Sequence, residues 1–151
     1  MGIRGFEVIS SYKNKDIHLP VRKTLLSAGY DLSAAEDSVI LPQKVTLIAT
    51  GLKVFMKDDE YLGLHIRSSF AIKNKVTLIN GQGIIDADYY NNPDNEGHIM
   101  IAVYNHQSDA VSVLKGTRIA QGIFYKYLLA DNDNISISET RLGGFGSTGE
   151  K

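Results

Sequence analysis

The sequence of 151 residues has no cysteine, which excludes disulfides and thiolate chemistry and fits a reducing compartment. A charge excess of either sign is missing too. Sixteen Lys and Arg against seventeen Asp and Glu leave a formal net charge of −1, so no basic surplus points to nucleic acid. No apolar run approaches a membrane span, and Met1-Gly2-Ile3-Arg4 lacks the apolar region of a signal peptide. The expectation is a cytoplasmic protein with no membrane or nucleic-acid partner. Neither common phosphate motif is present: there is no Gly-x-x-x-x-Gly-Lys, and no Gly-x-Gly-x-x-Gly between strand and helix. Asp131-Asn132-Asp133-Asn134 opens like a calcium loop, but Ser136 stands where glycine is needed and Leu142 where an acid is needed. Repeats, linkers and heptads are also absent.

What remains is an ordinary folded composition, 43% apolar and 22% charged, enough for one domain with one core. Short segments rich in β-branched residues recur with turn signals between them. Strands are expected at residues 6–12, 39–41, 45–50, 51–56, 61–67, 76–79, 99–104, 111–114 and 119–125. Within 61–67, Leu62, Leu64 and Ile66 alternate with Tyr61, His65 and Arg67, the period of a half-buried strand. Residues 99–104 are apolar on both faces, which predicts burial against a neighbouring sheet or subunit. One short helix is expected at 69–74. The pattern is that of an all-β sandwich or barrel-like fold.

Chemistry concentrates in Gly81-Gln82-Gly83-Ile84-Ile85-Asp86-Ala87-Asp88-Tyr89. Ile84-Ile85 reads as a short buried strand, and continued extension would send Asp86 and Asp88 to one side. Carboxylates beside an apolar segment need a hydrogen bond, a cation or a metal. Asp86 is then a candidate general base, with a β-turn capped by aspartates as the equal alternative. Arg67-Ser68-Ser69 at the helix start would make an anion seat, unless a serine is simply the N-cap. Asp31 suits a structural bond to a loop amide, or a metal held through water. His65 belongs on a strand face, and His98 and His106 at solvated or turn positions. The loop at 90–96 reads as a polar surface excursion. The tail, Arg141-Leu142-Gly143-Gly144-Phe145-Gly146-Ser147-Thr148-Gly149, would present consecutive amides to an anion, or be a flexible C-terminus.

Five segments, in order, resemble the five motifs of the homotrimeric dUTP pyrophosphatases. They are Ala28-Gly29-Tyr30-Asp31, Arg67-Ser68-Ser69, Gly83-Ile84-Ile85-Asp86-Ala87-Asp88-Tyr89, Gly116-Thr117-Arg118-Ile119-Ala120-Gln121 and the glycine-rich tail. The resemblance implies an all-β, jelly-roll-like core over residues 1–140, a C-terminal arm over 141–151, and a homotrimer with active sites at subunit boundaries. It also implies hydrolysis of dUTP to dUMP and pyrophosphate with Mg2+, Asp86 activating the water that attacks the α-phosphate. Tyr89 would pack under the deoxyribose and leave no room for a 2′-hydroxyl. Asn80 and the backbone at Ile84, Ile85 and Met100 would read uracil. Arg67, Ser68, Ser69 and Gln121 would hold phosphates, and Asp31 would reach magnesium through water. Phe145 would cover the base while Arg141, Gly146, Ser147 and Thr148 close over the phosphates.

Three features depart from the family pattern: the long 90–96 loop, the single residue between Arg141 and Gly143, and Thr117 in place of an acid. Two rival functions remain. A dCTP deaminase of the same fold would need a glutamate acting on the base, where this chain has Asp86 and Tyr89. A nucleotide-switched regulatory module would use the 90–96 loop for a protein partner.

Overall fold

The computed structural model describes residues 2–133. Eleven strands are β1 (Gly5–Val8), β2 (Tyr30–Ser33), β3 (Ser38–Ile40), β4 (Val45–Ala49), β5 (Leu52–Phe55) and β6 (Glu60–Ile66), followed by β7 (Val76–Leu78), β8 (Gly83–Asp86), β9 (Met100–Asn105), β10 (Val111–Val113) and β11 (Arg118–Lys126). The helix α1 (Ser68–Asn74) lies between β6 and β7. Every strand pairing is antiparallel. The strands form a sheet β2-β11-β6-β8, a sheet β4-β9-β7 and two ribbons, β1-β5 and β3-β10.

These four sheets share one core. Leu32, Ile48, Val54, Leu62, Ile101, Val103, Val113 and Ile119 meet in a single buried cluster, with Phe70 entering from α1. Each fully buried aliphatic side chain of this kind stabilises the fold by about 1.5–3 kcal/mol relative to exposure. The alternation expected in β6 is present: Leu62 and Leu64 are buried while Tyr61 and His65 face outward. In β9, Ile101, Val103 and Asn105 are buried, whereas Met100, Ala102 and Tyr104 stay half-exposed in the single chain. Only one of its two apolar faces is covered by this protomer.

Local details depart from the sequence reading where polar side chains intervene. The first strand stops at Val8, because the buried Ile9 precedes a 3-10 turn, Ser10–Tyr12. α1 starts one residue earlier than expected, and its N-cap is Arg67, so neither Ser68 nor Ser69 fills that role. It ends at Lys75, which takes the left-handed conformation with φ 52°. Among the described residues no helix is long and apolar enough to cross a membrane.

Candidate active site

Two hollows hold the expected residues. The first, a cavity of about 200 Å3, is lined by Asp31, Arg67, Ser68, Ser69 and Gln121, with Lys23 beside them. Strand pairing explains the convergence: Gln121 on β11 lies opposite Asp31 on β2 and His65 on β6. The register of β11 slips between Arg118 and Ala120, and such a bulge re-aims the side chains beside it. Arg118 Nη1 comes 3.3 Å from Asp31 Oδ2, and Arg67 Nε lies 3.5 Å from its other oxygen. Arg67 Nη1 also donates to the Arg118 carbonyl at 3.3 Å. Asp31 thus binds two arginines, of which Arg67 lines the cavity. The glycine of the Ala28-Gly29-Tyr30-Asp31 segment has a steric reason here. A Cβ on Gly29 would stand 2.2 Å from Gln121 Oε1 and 2.9 Å from its Cβ, so any larger residue displaces Gln121.

The second hollow, about 350 Å3, is lined by Asp58, Asp86, Asp88 and Tyr127. Asp86 is the last residue of β8, half-buried and opposite Tyr61. A 3-10 turn, Ala87–Tyr89, begins directly after it. The extension expected through Asp88 therefore ends at Asp86, and Asp88 owes its nearness to a turn rather than to strand alternation. Tyr89 is 6% exposed. Its hydroxyl donates to the His98 carbonyl at 3.2 Å and accepts from Asn95 Nδ2 at 2.7 Å.

The remaining base-reading candidates lie around the β7–β8 turn. Asn80 is exposed in it, and Ile79 N donates to the Ala102 carbonyl at 3.0 Å, which seats the turn beside β9 and Met100. Ile84 is 58% exposed, and Ile85 packs partly against the core.

Both hollows open on the outer face of one sheet, yet they are well separated. Tyr61, opposite Asp86, and His65, opposite Gln121, are four residues apart on β6, roughly 13 Å at the rise of a strand. β8 and β11 flank β6 on opposite sides, about 10 Å apart. Gln121 and Asp86 of one chain therefore stand about 16 Å apart. A polar network fills the ground between them. Tyr61 and Tyr125 stack at 5.1 Å, Tyr125 Oη meets His65 Nε2 at 3.0 Å, and Gln82 Nε2 meets the same nitrogen at 3.2 Å. His65 keeps its expected strand-face position.

The sequence pattern of the dUTPase family matches residues 15–149. The chain belongs to the dUTPase family. It is 50% identical over 149 residues to the deoxyuridine 5′-triphosphate nucleotidohydrolase of Lactococcus lactis, covering 99% of each protein. A more distant relative of the same name from Debaryomyces hansenii is 35% identical over 91% of this chain and 84% of its own. The crystal structure of the dUTPase from Streptococcus mutans superposes with a TM-score of 0.81 at 44% identity, covering 85% of this chain and 99% of that one. The jelly-roll-like β fold with one short helix is thus the fold of its family.

Arg141, Phe145, Gly146, Ser147 and Thr148 lie outside the described residues, as does the whole 141–151 arm. Two sequence readings of this dUTPase-family chain gain detail. Of the solvated or turn positions expected for His98 the turn holds, its N–H donating to the Asn95 carbonyl at 3.1 Å; the ring is half-buried, its Nε2 accepts from Gly51 N at 2.9 Å, and burial lowers its pKa below 6.5. The 90–96 segment is the polar surface loop expected, and it is tied down by specific bonds. Glu96 Oε2 lies 2.7 Å from Lys53 Nζ, Asn91 Oδ1 accepts from the same ammonium at 2.6 Å, and Ser10 N donates to Glu96 Oε1 at 3.1 Å. Lys53, Asn95 and Glu96 have no counterpart in the sequence reading. The available signal was Lys53 itself, a lone charge between Leu52 and Val54 in an otherwise apolar strand.

Proposed function

We propose that the chain hydrolyses dUTP to dUMP and pyrophosphate, with Asp86 as the base that activates the attacking water. The observation that carries this reading is the cavity formed by Arg67, Ser68, Ser69 and Gln121. Permanent charge, hydroxyls and a carboxamide converge there, a donor set suited to a polyanion. The arginines also answer the chief obstacle to the reaction, repulsion between a triphosphate and its nucleophile.

One chain holds the backbone of Asp86 well away from that cavity. A base acts within roughly 3 Å of its proton or through one water, and the water must approach phosphorus equally closely. A gap of about 16 Å along the sheet places Asp86 out of reach of a phosphate chain seated on Gln121. A second copy, laying its Asp86 beside this chain's Arg67, closes the gap, which supports the homotrimer. The half-exposed outer face of β9 offers apolar surface for such an assembly. Asn80 and the backbone at Ile84, Ile85 and Met100 read uracil, Tyr89 lies under the deoxyribose, and Arg141, Phe145, Gly146, Ser147 and Thr148 close from the tail.

Magnesium fits as an ion carried by the substrate. Among the described residues no group of three His, Asp or Glu could hold a metal, and Asp31 already binds two arginines. One carboxylate reaching through water to a hydrated ion on phosphate oxygens matches the habit of Mg2+. The metal, when bound, supplies charge neutralisation; Asp31 orients it and the arginines it faces.

Pyrophosphate release across the common dNTPs and dUTP tests the assignment. Release from dUTP alone is expected. Ammonia from dCTP would instead favour the deaminase, and no turnover of dUTP with Mg2+ supplied would overturn the reading.

A further inference from the structure

Tyr89 has spent its hydroxyl inside its own chain. The oxygen donates to the His98 carbonyl at 3.2 Å and accepts from Asn95 Nδ2 at 2.7 Å, and the residue is 6% exposed. Only the ring can meet a ligand, so any choice this residue makes between sugars is a choice of shape. Shape selection is as sharp as the ring is fixed, because a ring free to tilt yields space for one extra oxygen.

The fixing comes from the 90–96 loop. Asn95 Oδ1 accepts from Gly97 N at 3.0 Å, which orients the carboxamide and aims Nδ2 at Tyr89. The loop closes on itself through Asn92 N to the Tyr89 carbonyl at 3.1 Å, Glu96 N to the Asn92 carbonyl at 2.7 Å and Asn91 N to the Glu96 carbonyl at 3.1 Å. Gly97 takes φ +83°, and a Cβ there would stand 2.5 Å from the Tyr89 carbonyl oxygen, so the return of the loop presses against Tyr89 itself. Lys53, 9% exposed on β5, anchors the assembly through Glu96 and Asn91.

We propose that Asn95 is a positioning residue for sugar discrimination: the extended loop is an internal strut that locks the Tyr89 ring against the 2′-hydroxyl of a ribonucleotide. The inference rests on the proposed place of Tyr89 beneath the sugar. It assigns the loop a role within its own subunit.

The measurement is kcat/KM for dUTP and for UTP in the full-length chain, with Mg2+. Asn95→Ala should lower the dUTP-to-UTP ratio about tenfold, the scale of one lost hydrogen bond. Tyr89→Phe removes that bond together with the one to the His98 carbonyl and should shift the ratio at least as far; adding Asn95→Ala to it should change the ratio no further. A merely structural role for Asn95 would depress both nucleotides alike and leave the ratio fixed, which would overturn the proposal. Additive losses in the double variant would overturn it too. Tyr89→Ala separates the premise from the inference. A ratio unchanged in Tyr89→Ala removes the sugar role of Tyr89, whereas a collapsed ratio there with an unmoved Asn95→Ala removes only the strut. Were Asn95→Ala not to fold, an unmoved ratio in Tyr89→Phe would be sufficient refutation.

Discussion

The two hollows on the outer face of the β2-β11-β6-β8 sheet have opposite character. One gathers Arg67, Gln121, two serines and Lys23 around an aspartate bound to two arginines. The other is lined by Asp58, Asp86 and Asp88, three carboxylates that would repel a triphosphate. On the proposed function, the seat of Arg67 and the acidic hollow of Asp86 are complementary halves. The chemistry would then belong to the meeting of two copies.

The sharpest way to break this comparison is at Asp86. Asp86→Asn should lower kcat by roughly 10²–10⁴-fold while dUTP binding, measured by calorimetry, stays near that of the parent. A variant that keeps its turnover removes Asp86 from the mechanism. On the opposite half, Gly29→Ala should push Gln121 out of the seat and raise KM for dUTP about tenfold, a loss of one charge-assisted contact. Its melting temperature should hardly move, because Gly29 supports no core residue. Equal losses of binding and stability would show that the glycine serves the fold rather than the seat.

Stability contrasts distinguish the loop from both hollows. Lys53→Met leaves Glu96 beside a buried apolar stem, and should cost about 1–3 kcal/mol in urea unfolding once partial solvent screening of Glu96 is allowed for. The Asp31 arginines, nearer to solvent, should matter less to the fold than to the ligand.

The smallest effect is in pH. Burial holds the pKa of His98 below its ordinary 6.5, so the folded state resists a proton that the unfolded chain accepts. The stability associated with neutral His98 is complete above pH 6.5 and is lost as pH falls through its depressed value. The Lys53 hydrogen bond holds Glu96, and the Arg4 hydrogen bond holds Glu60, below the ordinary 4.5. Their contributions persist to lower pH and vanish only as each carboxylate protonates. Thermal melts should therefore be flat above pH 6.5, dip slightly toward pH 5 and fall steeply below 4.5. A His98→Gln variant should abolish the first dip and keep the second; a dip that survives the substitution refutes the assignment to His98.

What could be read from the letters alone was whatever the chain encodes locally. The alternation of Leu62 and Leu64 with Tyr61 and His65 announces β6, and Arg67-Ser68-Ser69 announces a helix start within one residue. Arg67-Ser68-Ser69 was legible as a candidate anion seat with an N-cap as its alternative, whereas Gln121 joined it only through the resemblance to the family. Contacts between distant segments were hidden. Lys53 and Glu96 are 43 residues apart, and no local pattern tells a lysine in a strand which carboxylate it will meet. His98 looked like a strand-end residue because the Gly51 amide that it accepts from comes from 47 residues away. Asp88 was misplaced for a different reason. Strand alternation predicts a side only while extension lasts, and the turn at Ala87–Tyr89 ends it one residue past Asp86.

If Asp86 serves a phosphate seated on Gln121, the distance between them would make activity a collective property. On the proposed function, dilution below the affinity between copies should silence the enzyme with no loss of secondary structure. Two inactive chains, one lacking the acid and the other lacking Arg67, would by the same logic rescue each other when refolded together, since some mixed assemblies pair an intact half from each.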